Sequence, residues 1–206
     1  MALSDLLYRC PECGHDPTEG EGDEASCPAC GVRFERGSHD RVIRILRPGE
    51  DEVAEVESSR LVKRIELHGG PMTRATQADG TVGFAADVMV SWRIAEDAVW
   101  HKGQLTGFTE TMGEALPGAI EVDRDGITLT MTGEEDRRWE FLELRALQTS
   151  SSSLQLSLPG DTLAQFKFVE DSPRRWEDLL RRLVRDAYGR AERGFVVEFQ
   201  PRIVTR

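Results

Sequence analysis

The sequence has no long apolar run. Among its 206 residues, no unbroken stretch of Ala, Val, Ile, Leu, Met, Phe, Trp, Tyr or Cys exceeds three. A membrane-spanning helix needs about 20 such positions, so none is expected. The first ten residues contain Asp5 and lack both a basic start and an apolar core, so no secretory leader is expected and the expected address is cytoplasmic. Basic charge is also short, with 26 Lys+Arg against 37 Asp+Glu and a net charge of −11. Proteins that bind nucleic acid or anionic lipid concentrate Lys and Arg, so this balance weighs against both.

Catalytic signatures are missing too. There is no GxxxxGK[ST] or GxGxxG to cradle phosphates, no GxSxG nucleophile turn and no HExxH metal helix. The four histidines, His15, His39, His68 and His101, form no i,i+4 pair. His68-Gly69-Gly70 lacks an accompanying nucleophile and reads as a turn at a strand end. Carboxylates are so abundant that no acid/base couple stands out. The chain is therefore expected not to be an enzyme.

What is present begins with four cysteines, all within the first 30 residues, as Cys10-Pro-Glu-Cys13 and Cys27-Pro-Ala-Cys30. Two residues between thiolates let one tight turn aim both sulfurs at a single ion. Pro fixes the entry to each turn, and Gly14 and Gly31 permit the positive φ needed at the exit. Thirteen residues separate the pairs, enough to bring the second turn back onto the first. Disulfides do not suit a cytoplasmic address, and a redox pair would not be duplicated. Zinc and iron both remain open to four thiolates, with zinc favoured by the short separation. Four thiolates fill a tetrahedron, which makes His15 a surface residue and the metal structural rather than catalytic.

This CPxCG…CPxCG pattern resembles the zinc-ribbon family over about residues 6–36. The resemblance implies one structural Zn(2+) per chain, held by Cys10, Cys13, Cys27 and Cys30, with Tyr8 and Phe34 flanking the site.

Beyond a linker expected at Gly37–Asp40, the texture changes. Val42–Leu46 and Leu61–Leu67 read as strands. In Thr81–Ile94 every second residue from Val82 to Ile94 is apolar, the period of a half-buried strand. Ala119–Val122 and Ile127–Met131 flank an Asp123–Gly126 turn and form a hairpin. Arg138–Leu144, Leu154–Leu158 and Leu163–Val169 add further strands, with Thr149–Ser153 as a loop. The period then switches. Ser172 caps a helix that starts at Pro173 and ends by Gly189. Trp176, Leu179, Leu180, Leu183, Val184, Ala187 and Tyr188 lie on its apolar face, and Glu177, Asp178, Arg181 and Arg182 on its polar face. Residues 195–204 suggest one more strand. The expected fold class is mainly β with one C-terminal amphipathic helix (α+β).

Short antiparallel strands closed by one amphipathic helix resemble the pleckstrin-homology-like superfold, including GRAM-type domains, over about residues 60–190. This divides the chain into a zinc ribbon at 1–38 and a pleckstrin-homology-like barrel at 39–206 whose closing helix is 172–189. The superfold is mostly a binding scaffold, which implies an interaction or adaptor module with a protein partner. Lipid or membrane-surface association is the second reading. It is weakened because Leu61–Thr81, taken as the first strand pair, carries only Lys63, Arg64 and Arg74 as basic residues. Nucleic-acid binding through the ribbon comes third. Trp100, His101 and Lys102 fall outside the clean periodicity and are one candidate binding surface. Arg174, Arg175 and Arg182, in the densest basic region, are another.

Overall fold

The computed structural model of the chain describes residues 2–39, 41–68, 75–76, 82–149 and 152–193. They belong to two compact units, Met1–Arg74 and Ala75–Arg206. The expected strand at 195–204 lies outside the described residues.

The first unit opens with a single helical turn, α1 (Leu3–Leu6), and two cysteine knuckles. Four antiparallel strands follow the order of the chain: β1 (Glu24–Ser26), β2 (Arg33–Arg36), β3 (Val42–Leu46) and β4 (Ala54–Glu57). Helix α2 (Ser58–His68) ends the described part. Leu3, Leu7, Phe34, Ile43, Ile45 and Leu61 are all fully buried and make the core.

Two expectations are corrected here. Leu61–Leu67 is helical, because its buried residues Leu61 and Ile65 are four apart, the spacing of one helix face, while Lys63 and Arg64 are exposed. The boundary expected at 38/39 also moves. The described residues Gly37–His39 lie in the connection between the paired strands β2 and β3, where the Gly37 N–H donates to the Val42 carbonyl at 2.8 Å. Cutting there would separate two hydrogen-bonded strands.

The second unit is a curled antiparallel half-barrel with a helix at its end. A two-residue strand, β5 (Ala75–Thr76), pairs with the start of β6 (Val82–His101). The strands that follow are β7 (Gln104–Met112), β8 (Leu116–Val122), β9 (Gly126–Met131), β10 (Arg137–Glu140), β11 (Ala146–Thr149), β12 (Leu154–Leu158) and β13 (Thr162–Phe168). Their spatial order is β10-β9-β8-β6-β13-β12-β11, with β7 paired to the far end of β6. Two meanders are thus joined where β6, the first long strand, meets β13, the last. Val88, Val90, Ile120, Ile127, Leu156 and Phe166 are buried on the inner face.

Helix α3 (Pro173–Arg190) packs on β11, β12 and the 3-10 turn Phe141–Glu143. Ser172 caps it, its side chain accepting from the Arg175 N–H at 3.2 Å. Trp176, Leu179, Leu180, Val184 and Ala187 are buried. Trp176 stacks on Phe168 with ring centroids 5.1 Å apart, and its indole N–H donates to Asp171 at 2.8 Å.

Other expectations shift in detail. Leu183 is half-buried rather than buried, and Glu177, placed by periodicity on the polar face, is 3% exposed. Its carboxylate is satisfied by Arg174 at 3.1 Å, Arg181 at 2.6 Å and the Thr149 hydroxyl. The Arg138–Leu144 strand stops at Glu140, because Phe141 turns inward in the 3-10 turn and is fully buried. Ala146–Thr149 is a strand where a loop was expected to begin. The first strand pair of this unit is β5–β6; within Leu61–Thr81 only Ala75–Thr76 is strand among the described residues, the segment up to His68 being helical.

Candidate metal centre

The knuckles are one loop made twice. In the first, the Gly14 N–H donates to the Cys10 carbonyl at 2.8 Å and the Cys10 N–H to the His15 carbonyl at 2.8 Å. In the second, the Gly31 N–H donates to the Cys27 carbonyl at 2.9 Å and the Cys27 N–H to the Val32 carbonyl at 2.9 Å. Gly14 and Gly31 sit at φ +77° and +71°, the left-handed region, and a Cβ there would also press on His68 and Pro48 respectively. Both reasons require glycine.

These loops bring the four sulfurs within 4.8 Å of one another. Cys10 Sγ lies 3.8 Å from Cys30 Sγ, and Cys13 Sγ lies 3.6 Å from Cys27 Sγ. A disulfide holds its sulfurs at about 2.05 Å, so these are free thiols. Four sulfurs each about 2.3 Å from a central ion form a tetrahedron with edges of about 3.8 Å. The observed spacings fit that figure, so the set can hold one metal ion. An S4 tetrahedron serves zinc or iron alike, so the geometry fixes the ligand set and not the element.

Cys10 and Cys27 are buried, while Cys13 and Cys30 are exposed. Burial pushes the Cys10 and Cys30 thiols up. Burial acts on Cys27 too. There, the backbone N–H groups of Cys30 and Ala29 and the Cys13 thiol outweigh it and hold the group below its ordinary value. Metal binding must displace the protons that remain.

Sequence reasoning missed the brace around the first knuckle. Glu12 accepts from Arg64 at 2.7 Å and from Arg47 at 3.3 Å, and His68 Nε2 lies 2.8 Å from the Pro11 carbonyl oxygen. Arg64 and His68 of α2 therefore grip the loop that carries Cys10 and Cys13. The signal was the i,i+4 spacing of Arg64 and His68, hidden by reading the segment as a strand. His15 is exposed, as expected.

The other two candidate surfaces lie apart from each other. Trp100 and His101 end β6, and Lys102-Gly103 is the tight turn into β7, with φ +49° and +77°. Trp100, His101 and Lys102 are thus strand and turn. Bulges between Arg93 and Ala95 and between Val99 and Trp100 break the alternation that would have revealed the strand. Arg174 and Arg175 belong to the first turn of α3 and are committed to ion pairs, Arg174 with Glu177 and with Asp178 at 3.0 Å, Arg175 with Asp171. Arg182 is exposed and makes no ion pair among the described residues.

Among the other tryptophans, Trp176 is buried, while Trp92 and Trp139 are half-buried. The latter two touch at a centroid distance of 6.2 Å beneath Arg137, whose guanidinium lies 4.8 Å above the Trp92 ring. No helix among the described residues is long and apolar enough to cross a membrane. No protein-family model and no curated protein matches the sequence.

Proposed function

We propose that the protein is a non-enzymatic interaction module, with a zinc-ribbon staple in its first unit and a pleckstrin-homology-like scaffold in its second that recruits a protein partner. The observation that carries this reading is the closed set of four sulfurs. Every tetrahedral position is taken by the chain, which leaves no place for a substrate or an activated water. The order of the strands and the closing helix α3 support the reading of the second unit.

Zinc is the proposed ion, one per chain, and its role is to give a small unit stability that its core alone cannot supply. Elemental analysis of the purified protein is expected to find one zinc per chain. After cobalt substitution, the visible spectrum should show tetrahedral thiolate coordination and stay unchanged when small anions are added. A spectrum that shifts with added anion would mean an open position and overturn the structural role. The adaptor role is tested by capture from native lysate on the intact protein, with known partners then assayed as purified components. Turnover of a small molecule by the zinc-loaded chain would contradict it.

A further inference from the structure

Four of the large apolar side chains that the described residues expose are gathered on one ribbon, the far half of β6 with β7. Ile94 is 69% exposed, Trp100 63%, Phe108 55% and Val99 42%. Past Trp92 this pair leaves the main sheet, and every residue from Ile94 to His101 on β6 is exposed, as is Lys102 in the turn. A two-stranded ribbon without a packed face is marginal in water, and exposed aromatics clustered on one element mark an interaction surface.

The register shows which residues share a face. Ala98 is opposite Phe108, Trp100 opposite Leu105, and Glu96 opposite Glu110. Directly opposed residues point the same way, and alternate residues along β6 do so too. The Glu96/Glu110 pair, the Ala98/Phe108 pair and the Trp100/Leu105 pair therefore follow one another along a single face, beyond the bulge at Ile94.

Charge divides that face by its length. The root carries the two opposed carboxylates, which share one guanidinium: Arg93 lies 2.6 Å from Glu96 and 3.8 Å from Glu110. From Ala98 to Thr109 the ribbon has no acid at all, and its tip carries Lys102 beside His101. A surface that is apolar at its centre, acidic at one end and basic at the other is complementary to its own copy turned end for end. An isologous two-fold contact makes each such pairing twice.

We propose that this ribbon face is a homodimer interface, in which two copies pack antiparallel with Trp100 and Phe108 at the centre and Lys102 of each copy over Glu96 and Glu110 of the other. A second cation at the root answers a local need. Burial pushes the Glu110 carboxyl up and Glu96 pushes it further, with Arg93 alone pulling it down. A lipid surface fits less well, because anionic headgroups would meet the Glu96/Glu110 carboxylates. The contact lies wholly within the second unit, so it stands or falls independently of the metal and of any recruited partner.

The test is sedimentation of the full chain across about two decades of concentration, the range over which a mass-action dimer reveals itself. A reversible dimer that weakens with added salt is expected. Trp100→Ser and Phe108→Ser should each raise the dissociation constant at least about tenfold, the factor carried by a modest interface contact, with the thermal melt of the dilute monomer unchanged. Lys102→Glu and Glu110→Lys should each weaken the dimer, and the double variant should recover it. A chain that stays monomeric throughout overturns the proposal. So does a dimer indifferent to all four substitutions. If the monomer instead co-sediments with phosphatidylserine vesicles through Trp100, the face belongs to a lipid surface, and the homodimer is again overturned.

Discussion

Gly126 carries no side chain because β10 leaves no room for one. A Cβ there would stand 2.4 Å from the Trp139 carbonyl oxygen, which is backbone and cannot step aside. Gly126→Ala should cost about 1–3 kcal/mol, the usual range for overpacking, measured by urea denaturation. Asp123, three residues earlier, organises the same turn by accepting from the Asp125 and Gly126 N–H groups at 2.8 and 2.9 Å and from Arg138 at 2.9 Å. Burial alone would raise its carboxyl, but Arg138 and the two backbone donors outweigh burial and hold it below the usual carboxylate range. A depressed folded value contributes stability above the unfolded value, and that contribution is lost as pH falls through the folded one. Asp123→Asn should therefore be destabilised at neutral pH and should converge with the parent in acid, as a pH series of thermal melts would show. At the metal centre, Cys13→Ser leaves three thiolates. Elemental analysis should find the ion lost, and the first unit should lose its cooperative melt.

Helix α3 was legible in the sequence almost to the residue, because Ser172, Pro173 and a 3.6-residue apolar period all point the same way. Leu180→Ala, at a fully buried position, should cost about 2–5 kcal/mol. Arg181→Ala should also cost about 1–2 kcal/mol, more than an exposed pair would, because its partner Glu177 is buried and would keep a less compensated charge. Denaturation of both variants checks the pair; a negligible effect at Arg181 would mean that Arg174 and Thr149 suffice for Glu177. Helix α2 was not legible. Leu61–Leu67 is short, and over seven residues its apolar positions Leu61, Val62, Ile65 and Leu67 suit a helix and a strand alike. The far end of β6 was missed for another reason. Bulges and exposure erased the alternation, since a strand with no buried face has no pattern to keep. The cluster of four cysteines needed none of this. The spacing within each CPxC pair brings its sulfurs together whatever surrounds them, whereas the brace from Glu12 to Arg47 and Arg64 is a tertiary contact that local pattern cannot encode.

At the scale of the molecule, the useful cut falls between the units rather than between β2 and β3. A fragment of residues 1–74 with zinc should melt cooperatively by circular dichroism, whereas one ending at residue 38 should not, because β2 would lose its pairing with β3 and the buried Ile43, Ile45 and Leu61 would be gone. The strand order of the second unit also bears on how the chain is made. β6 must pair with β13, and Val88 meets Phe168 across 80 residues of chain (168 − 88). At about 5–20 residues per second, a ribosome needs about 4–16 s to deliver that partner. During this interval one edge of β6 stands open on the nascent chain. The second unit therefore cannot close until its translation is nearly done, while every thiolate of the first unit has long since emerged. Newly made chains therefore pass through a period in which all four thiolates are free to meet a metal ion while the half-barrel still lacks its β13 side.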